Sequence, residues 1–410
     1  MAEPILRVLL HQRPIGTLTL LAGDQTVFAF DESYIKDKLR PTLSLSFKAP
    51  MGELITDIKP TRARVPHFFA NLLPEGPLRA YLAKRAGVKD SREFFLLRVL
   101  GRDLPGAVKI QESEGGVASA KEGKNEEAMN RRKGALHFSL AGVQLKFSAV
   151  REAAGGLTIP TEGSGGSWIV KLPSTSFEAV PENEFAMMGL AAEVGIDVPE
   201  NTLIPIGDIS GLPDDIRGMK GDAFAIKRFD RTETGAAVHI EDFAQVFGVY
   251  PEKKYEKANY RNLAQVILAE SGQEDIAEFI RRLVFNTLIG NADMHLKNWS
   301  LIYPNRRQAA LAPAYDFVST IPYINDASTA LKMGKSKKMA ELSRDMLSRF
   351  AAKARLAEKP VLETAENTVG RLMTAWKNGE YLDDLPFIRD AIQAHLKTIR
   401  LVTEIGRESS

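Results

Sequence analysis

Residues 290–317 read GNADMHLKNWSLIYPNRRQAALAPAYDF. Asp293, His295, Lys297 and Asn298 crowd into six positions directly after a run with helical periodicity, and a second acid, Asp316, ends an apolar segment inside Ala314-Tyr315-Asp316-Phe317. An Asp and an Asn five apart, followed by an Asp at a strand end, suit a nucleotide and magnesium site. The first Asp accepts a proton from an attacking hydroxyl, while the Asn oxygen and the second Asp hold magnesium against phosphate oxygens. Taken singly, Asn291-Ala292-Asp293 also reads as a polar turn with Asp293 as a cap. The whole set at this spacing favours phosphate chemistry, with His295 and Lys297 as further candidates on the cofactor side.

Upstream, Ser167-Trp168-Ile169-Val170-Lys171-Leu172 reads as a strand with one lysine among hydrophobes. Lysine seldom lies in such a strand without a partner, unless it marks an edge and points to water. A helix follows at 182–194, with Pro181 at its start, acids in its first turn and Gly195 after its end. Glu184 in that first turn is placed to reach back to Lys171 and fix it for a phosphate contact, or else simply to stabilise the helix N-terminus. The strand at 223–231 ends in Lys227-Arg228-Phe229-Asp230, after which the periodicity turns helical. A lobe boundary near 228–235 makes Arg228 and Phe229 nucleotide-side candidates, with backbone groups meeting an adenine ring.

Residues 6–30 alternate as a small antiparallel sheet, and Leu43–Phe47 alternates as a further strand. A helical region is expected over 65–82 and a helix over 91–100. Residues 112–134 are polar and charged, as a solvated excursion is. Helical structure is expected to begin at Ile240, then to run over 260–270, 275–289, 337–356, 359–377 and 384–406, with a hairpin of 299–303 and 308–312 between. The expected domains are 1–100, a β-rich subdomain plus helices; 101–230, the rest of an N-terminal lobe; and 231–410, a helical C-terminal lobe.

The 410 residues exceed one small domain, and 44% hydrophobic with 26% charged residues is ordinary globular composition. The absence of Cys rules out disulfides and thiolate metal sites, and is expected of a cytoplasmic protein. Six His residues form no HExxH, so a zinc hydrolase has no basis. A net charge of +2 neither demands nor excludes nucleic acid. Neither a signal peptide nor a membrane span is expected.

With these residues laid out, the chain resembles the HipA family of bacterial serine/threonine kinase toxins. The resemblance rests on FSLAGVQLKFS at 138–148, IVKLP at 169–173, ENEF at 182–185, IKRFDR at 226–231, EDFAQVFG at 241–248, GNADMHLKNWS at 290–300 and APAYDF at 312–317. It implies an α+β, two-lobed protein-kinase-like fold, with a small N-terminal β subdomain on a mixed N-terminal lobe and a mostly helical C-terminal lobe. It implies ATP and Mg2+ as cofactors, Asp293 as catalytic base, Asn298 and Asp316 as metal ligands and Lys171 as phosphate contact, and it gives His295 structural support rather than proton transfer. Gly142 and Gln144 would lie in the segment over the ATP phosphates, and Ser139 would be an inhibitory autophosphorylation site. Neither GxGxxG nor the P-loop GxxxxGK[ST] occurs, so the resemblance does not rest on a glycine loop. Implied partners are a small helix-turn-helix antitoxin of the HipB type, operator DNA mainly through that antitoxin, and a protein substrate such as glutamyl-tRNA synthetase. A small-molecule kinase and a non-catalytic corepressor scaffold are the alternative readings.

Overall fold

Period-two alternation puts Leu6, Val8 and Leu10 on one buried face of a strand, and the first sheet grows from it. The computed structural model describes residues 4–113, 145–152, 156–160, 165–214, 216 and 218–408. In it β1 (Ile5–Leu10), β2 (Arg13–Leu21), β3 (Gln25–Phe30), β4 (Thr61–Arg62) and β5 (Val108–Glu112) form an antiparallel sheet in the order β4-β3-β2-β1-β5. Helices His67–Asn71, Gly76–Ala86 and Glu93–Leu100 bury Phe68, Phe69, Leu78, Leu82 and Phe94 in the same core.

A second sheet holds β6 (Lys146–Arg151), β7 (Leu157–Thr158), β8 (Trp168–Lys171), β9 (Asn201–Pro205), β10 (Ile209–Ser210) and β11 (Asp222–Lys227) in the order β10-β7-β6-β8-β11-β9. β8 lies inside this sheet, antiparallel to both β6 and β11, so Lys171 is not an edge lysine.

The chain divides into two compact units that interleave in sequence. One comprises Met1–Leu172, Ile204–Pro251 and Ile302–Arg307; the other comprises Pro173–Leu203, Glu252–Leu301 and Gln308–Ser410. The second is mostly helical. Its helix Glu358–Asn378 packs on both Gln273–Leu288 and Val180–Val194. Val180–Val194 stops at Gly195, whose φ of 90° only glycine adopts readily, and a Cβ there would lie 2.5 Å from Arg371 Nη1.

Several local expectations change. Leu45–Phe47 is a short 3-10 turn rather than a strand. Ser44 Oγ accepts from Ser46 N, and the Glu241 carboxylate accepts from Leu45 N at 2.9 Å, taking the backbone donors that a strand ladder needs. Ile240 lies in a strand, His239–Asp242, and the helix begins only at Phe243, behind an Asp242–Gln245 capping box. A β-hairpin, Ser328–Met333 with Ser336–Lys338, precedes a helix that starts at Arg344, behind a Ser343 cap. The last expected helix is two, Pro386–Leu396 and Arg400–Glu408. On the helix Val180–Val194, Phe185 is exposed, while Met187 and Met188 are buried. Among the described residues no helix is long and apolar enough to cross a membrane.

Candidate active site

The helix Gln273–Leu288 buries Ile276, Phe279, Ile280, Leu283 and Val284 and delivers the loop that follows. Gly290 makes the exit possible. Its φ is +70°, and a Cβ would lie 2.5 Å from Ile321 Cδ1, so both conformation and space require glycine.

Asn291 organises what comes next. It is 2% exposed. Its Oδ1 accepts from Asp293 N at 2.9 Å, and its Nδ2 donates to Asn286 Oδ1 at 2.8 Å and to Asp316 O at 3.4 Å. One buried amide therefore joins the backbones of the two candidate acids, 25 residues apart in the case of Asp316. Asn298 closes the loop from the other side, Nδ2 donating to Asp293 O at 2.9 Å. Tyr315 donates to Lys297 O at 2.9 Å and meets Ser300 Oγ at 2.5 Å, which fastens the residue before Asp316 to the one before Asn298. Thr320 Oγ1 accepts from Ala292 N at 2.9 Å and donates to Gly290 O at 3.1 Å. Asp293, Asn298 and Asp316 are thus brought together within the second unit by backbone-directed bonds.

The Asp293 side chain is 55% exposed and accepts a hydrogen bond from the Tyr255 hydroxyl. Tyr255 stands edge-on to His295, with ring centroids 5.0 Å apart. His295 is buried, and its Nδ1 accepts from Lys297 N at 3.3 Å. A ring nitrogen that accepts carries no proton, so the neutral ring's N–H is at Nε2, 3.9 Å from Asp293 Oδ1. That arrangement ties the ring to the backbone of its own loop. Lys297 is also buried, within the turn Leu296–Asn298.

Asp316 has φ of +58°, a left-handed conformation uncommon outside glycine. Phe317 is buried against Phe285, and Ser319 exchanges hydrogen bonds with Asn183, N to Oδ1 at 3.1 Å and Nδ2 to O at 2.9 Å. Strained backbone held in place from both sides is characteristic of functional positions. The donor set suits magnesium that is shared with phosphate. Among the described residues no three His, Asp or Glu side chains converge as a metal site. Asn298 and Asp316 each carry a side-chain oxygen of the kind magnesium takes, and magnesium with one or two protein ligands completes its octahedron with water and phosphate oxygens.

The other candidates lie on other elements. Lys171 ends β8 in the first unit, 5% exposed, with its Nζ 5.6 Å from the centre of the Phe224 ring. Glu184 is buried in helix Val180–Val194 of the second unit. Phe229 is half-buried just after β11. Ser139, Gly142 and Gln144 lie outside the described residues.

Arg228 needs a correction. Its guanidinium has five N–H donors. Nε and Nη2 donate to Asp230 at 2.8 Å, Nη1 donates to Asp103 at 3.2 Å and to Ser148 Oγ at 3.3 Å, and Nη2 donates to Leu104 O at 3.4 Å. Every donor is engaged, so Arg228 holds the end of β11 and has none left for a nucleotide. Burial by itself would raise the Asp230 carboxyl, but Arg228 and Arg231 outweigh it and hold it at about 2.

Reading from sequence missed Asn291, Tyr255, Asn183 and Thr320 as parts of this site. Asn291 and Asn183 fall inside the quoted stretches GNADMHLKNWS and ENEF, which is the signal that was available. Tyr255 and Thr320 carried none, since their partners lie 38 and 28 residues away.

Comparison with known proteins follows the same lines. The family model described as HipA-like C-terminal domain matches residues 138–376, and that described as HipA N-terminal domain matches residues 6–111. A Sinorhizobium fredii protein named "Putative kinase Y4dM" is 56% identical over 409 residues, covering 98% of this chain and 99% of its own. The Shewanella oneidensis serine/threonine-protein kinase toxin HipA is 27% identical over 74% of this chain and 73% of its own. Among solved structures, the Shewanella oneidensis toxin–antitoxin system of HipA, HipB and operator DNA matches with a TM-score of 0.73 and 21% identity, covering 98% of this chain and 99% of that one. That likeness shows the fold, α+β with the two-lobed kinase-like architecture.

Proposed function

The chain belongs to the HipA family, and from that premise we propose that it is a serine/threonine protein kinase, transferring the γ-phosphate of ATP to a protein hydroxyl. The observation that carries this reading is the Asn291 amide, which joins the backbones of Asp293 and Asp316 beside Asn298. Catalysis of this kind is mostly positioning and electrostatics, and a hydrogen-bonded loop with an exposed Asp293 beside half-buried Asn298 and Asp316 supplies both.

Asp293 accepts the hydrogen bond of the acceptor hydroxyl and takes its proton. Tyr255 holds the Asp293 carboxylate in place, and His295 braces the turn between them. Asn298 and Asp316 hold magnesium, which when bound neutralises charge on the phosphate oxygens. Lys171 contacts phosphate; Glu184 and Lys297 serve the nucleotide side, and the main chain at Phe229 serves the adenine. Gly142 and Gln144 lie over the phosphates, and Ser139 is the inhibitory autophosphorylation site. The domains 1–100, 101–230 and 231–410 remain the working division of these roles. The substrate is a protein, with glutamyl-tRNA synthetase the first to test. The partner is a HipB-type antitoxin that carries most of the operator DNA contact. The Shewanella oneidensis complex of HipA, HipB and operator DNA supports that partnership through its shared fold.

The test is γ-labelled ATP with magnesium in a host lysate, followed by identification of the labelled protein, with Asp293→Asn alongside. Wild-type protein labels a protein target and itself at Ser139, and Asp293→Asn labels neither. Equal labelling by both would remove Asp293 as the base. Labelling confined to small molecules would favour a metabolite kinase.

A further inference from the structure

Beyond Asp316, the second unit carries an aromatic surface that the transfer chemistry does not use. Phe177 and Tyr323 have ring centroids 5.3 Å apart, and Tyr323 and Phe387 stand edge to face at 6.1 Å. Phe177 is 43% exposed, Phe387 40% and the adjoining Ile324 50%. Large apolar groups contiguous at the surface, rather than scattered singly, mark contact sites.

Two observations say what lies on this surface. The first is its connection to the candidate active site. Asn183 Nδ2 donates to both Ser319 O at 2.9 Å and Tyr323 Oη at 3.2 Å, and Asn183 Oδ1 accepts from Ser319 N at 3.1 Å. One buried amide thus links the chain leaving Asp316 to the central ring of the patch. The second is charge. Glu182 and Glu178 both act electrostatically on Tyr323, and one Glu182 oxygen, Oε2, is buried without a hydrogen-bond partner. Exposed Asp326 follows Ile324 by two positions, and exposed Asp384 and Asp390 flank Phe387 in sequence. The nearby Arg389 is committed to Asp383. The patch is apolar with an acidic rim.

We propose that Phe177, Tyr323, Ile324 and Phe387 form the docking surface for the protein substrate, taking an apolar side chain flanked by lysine or arginine. This rests on the kinase reading for the word substrate, and on the surface alone for the chemistry. An apolar side chain packs on the rings, and the flanking cations pair with exposed Glu178, the charge of half-buried Glu182 adding to the attraction.

Fluorescence polarisation on the full chain without nucleotide tests it. The probes are short dye-labelled peptides in which one leucine is flanked by lysines, by glutamates or by serines. The lysine-flanked peptide binds and the glutamate-flanked one does not. Phe177→Ser combined with Phe387→Ser weakens binding about tenfold or more, as loss of an aromatic contact worth roughly 1.4 kcal/mol does. Both rings are exposed, so the fold is retained. Glu178→Gln with Glu182→Gln weakens the lysine-flanked peptide while leaving the serine-flanked one unchanged. In transfer assays on a lysine-flanked peptide that carries an acceptor serine, the double Phe variant raises KM and leaves kcat in place. Equal binding by wild type and the Phe variant overturns the proposal. So does a loss of self-association or of antitoxin binding with peptide affinity unchanged, which would give the surface to a second copy or to the antitoxin. Peptide binding that depends on the patch, with no phosphate transfer to any acceptor, would sink the kinase reading and leave the docking surface standing.

Discussion

Two polar clusters in this protein use similar residues to opposite ends. In the first unit, Arg228 and Arg231 meet Asp103 and Asp230, whose side chains are only 2% and 5% exposed. Every Arg228 donor is spent inside the cluster, and Asp230 also accepts from Gly106 N at 2.7 Å. In the second unit, Asp293, Asn298 and Asp316 are aligned mainly through their backbones, and the Asp293 carboxylate stays 55% exposed. Side chains committed to one another make architecture. A carboxylate that stays exposed while its main chain is held, as at Asp293, is prepared for a ligand. The difference is one of exposure, and composition does not record it.

The sharpest way to break this contrast is Asp316→Gly. Glycine relieves the left-handed backbone but removes the carboxylate, so transfer falls on the order of a thousandfold, roughly 4 kcal/mol of barrier, while the melting temperature holds or rises. A fall in both would make Asp316 structural.

Arg228→Ala should do the reverse. Removing the cation leaves Asp103 and Asp230 buried with less compensation, costing about 3–5 kcal/mol in urea unfolding. At a temperature where the variant stays folded, ATP affinity by titration is unchanged; a selective loss of ATP affinity would return Arg228 to the nucleotide.

Asn291→Ala tests the hub itself. It strands the buried Asn286 Oδ1 and the part-buried Asp293 N–H and costs about 1–3 kcal/mol of stability. It also lowers kcat by up to roughly a hundredfold through misplacement of Asp293 and Asp316. Unaltered kcat would mean that the loop holds its geometry without the amide.

The gentlest test concerns a third kind of acid. Glu241 is buried in the first unit with hydroxyl and amide partners and, among the described residues, no cation: Ser44 Oγ at 2.5 Å, Leu45 N at 2.9 Å and the Tyr303 hydroxyl. Burial pushes its carboxyl up to about 7, against the pull of those hydrogen bonds, where paired Asp230 sits at about 2. Between the ordinary value of 4.5 and about 7 the folded state holds a proton that the unfolded state has lost. The Glu241 contribution therefore declines as pH rises through that window, by at most about 1.4 kcal/mol per pH unit. Thermal melts from pH 4.5 to 7.5 should show Glu241→Gln gaining on wild type as pH rises. Parallel profiles would mean that the hydrogen bonds keep Glu241 ionised throughout.

Much of the fold was legible. Alternation at residues 6–30 and the apolar stripe ahead of Gly290 are local patterns, and both elements form where the periodicity places them. Leu43–Phe47 alternates just as cleanly and forms no strand, because Glu241, 196 residues away from Leu45, claims its backbone donors. Ile240 was read as helical for want of the same kind of information. In the site, the motif residues stood out by type and spacing. The amides that align them did not, because asparagine serves equally well in any polar turn.

By itself the sequence determined the family, the order of most strands and helices, and the stretch in which the acids gather, since periodicity and motif spacing are written in neighbouring residues. The tertiary structure alone decided which charged groups are spent and which are exposed. Arg228 and Phe229 looked alike at the end of a strand until Asp103, 125 residues earlier, took up one of the Arg228 donors. Hydrogen-bond satisfaction is set by partners that folding brings together, and no local pattern announces them.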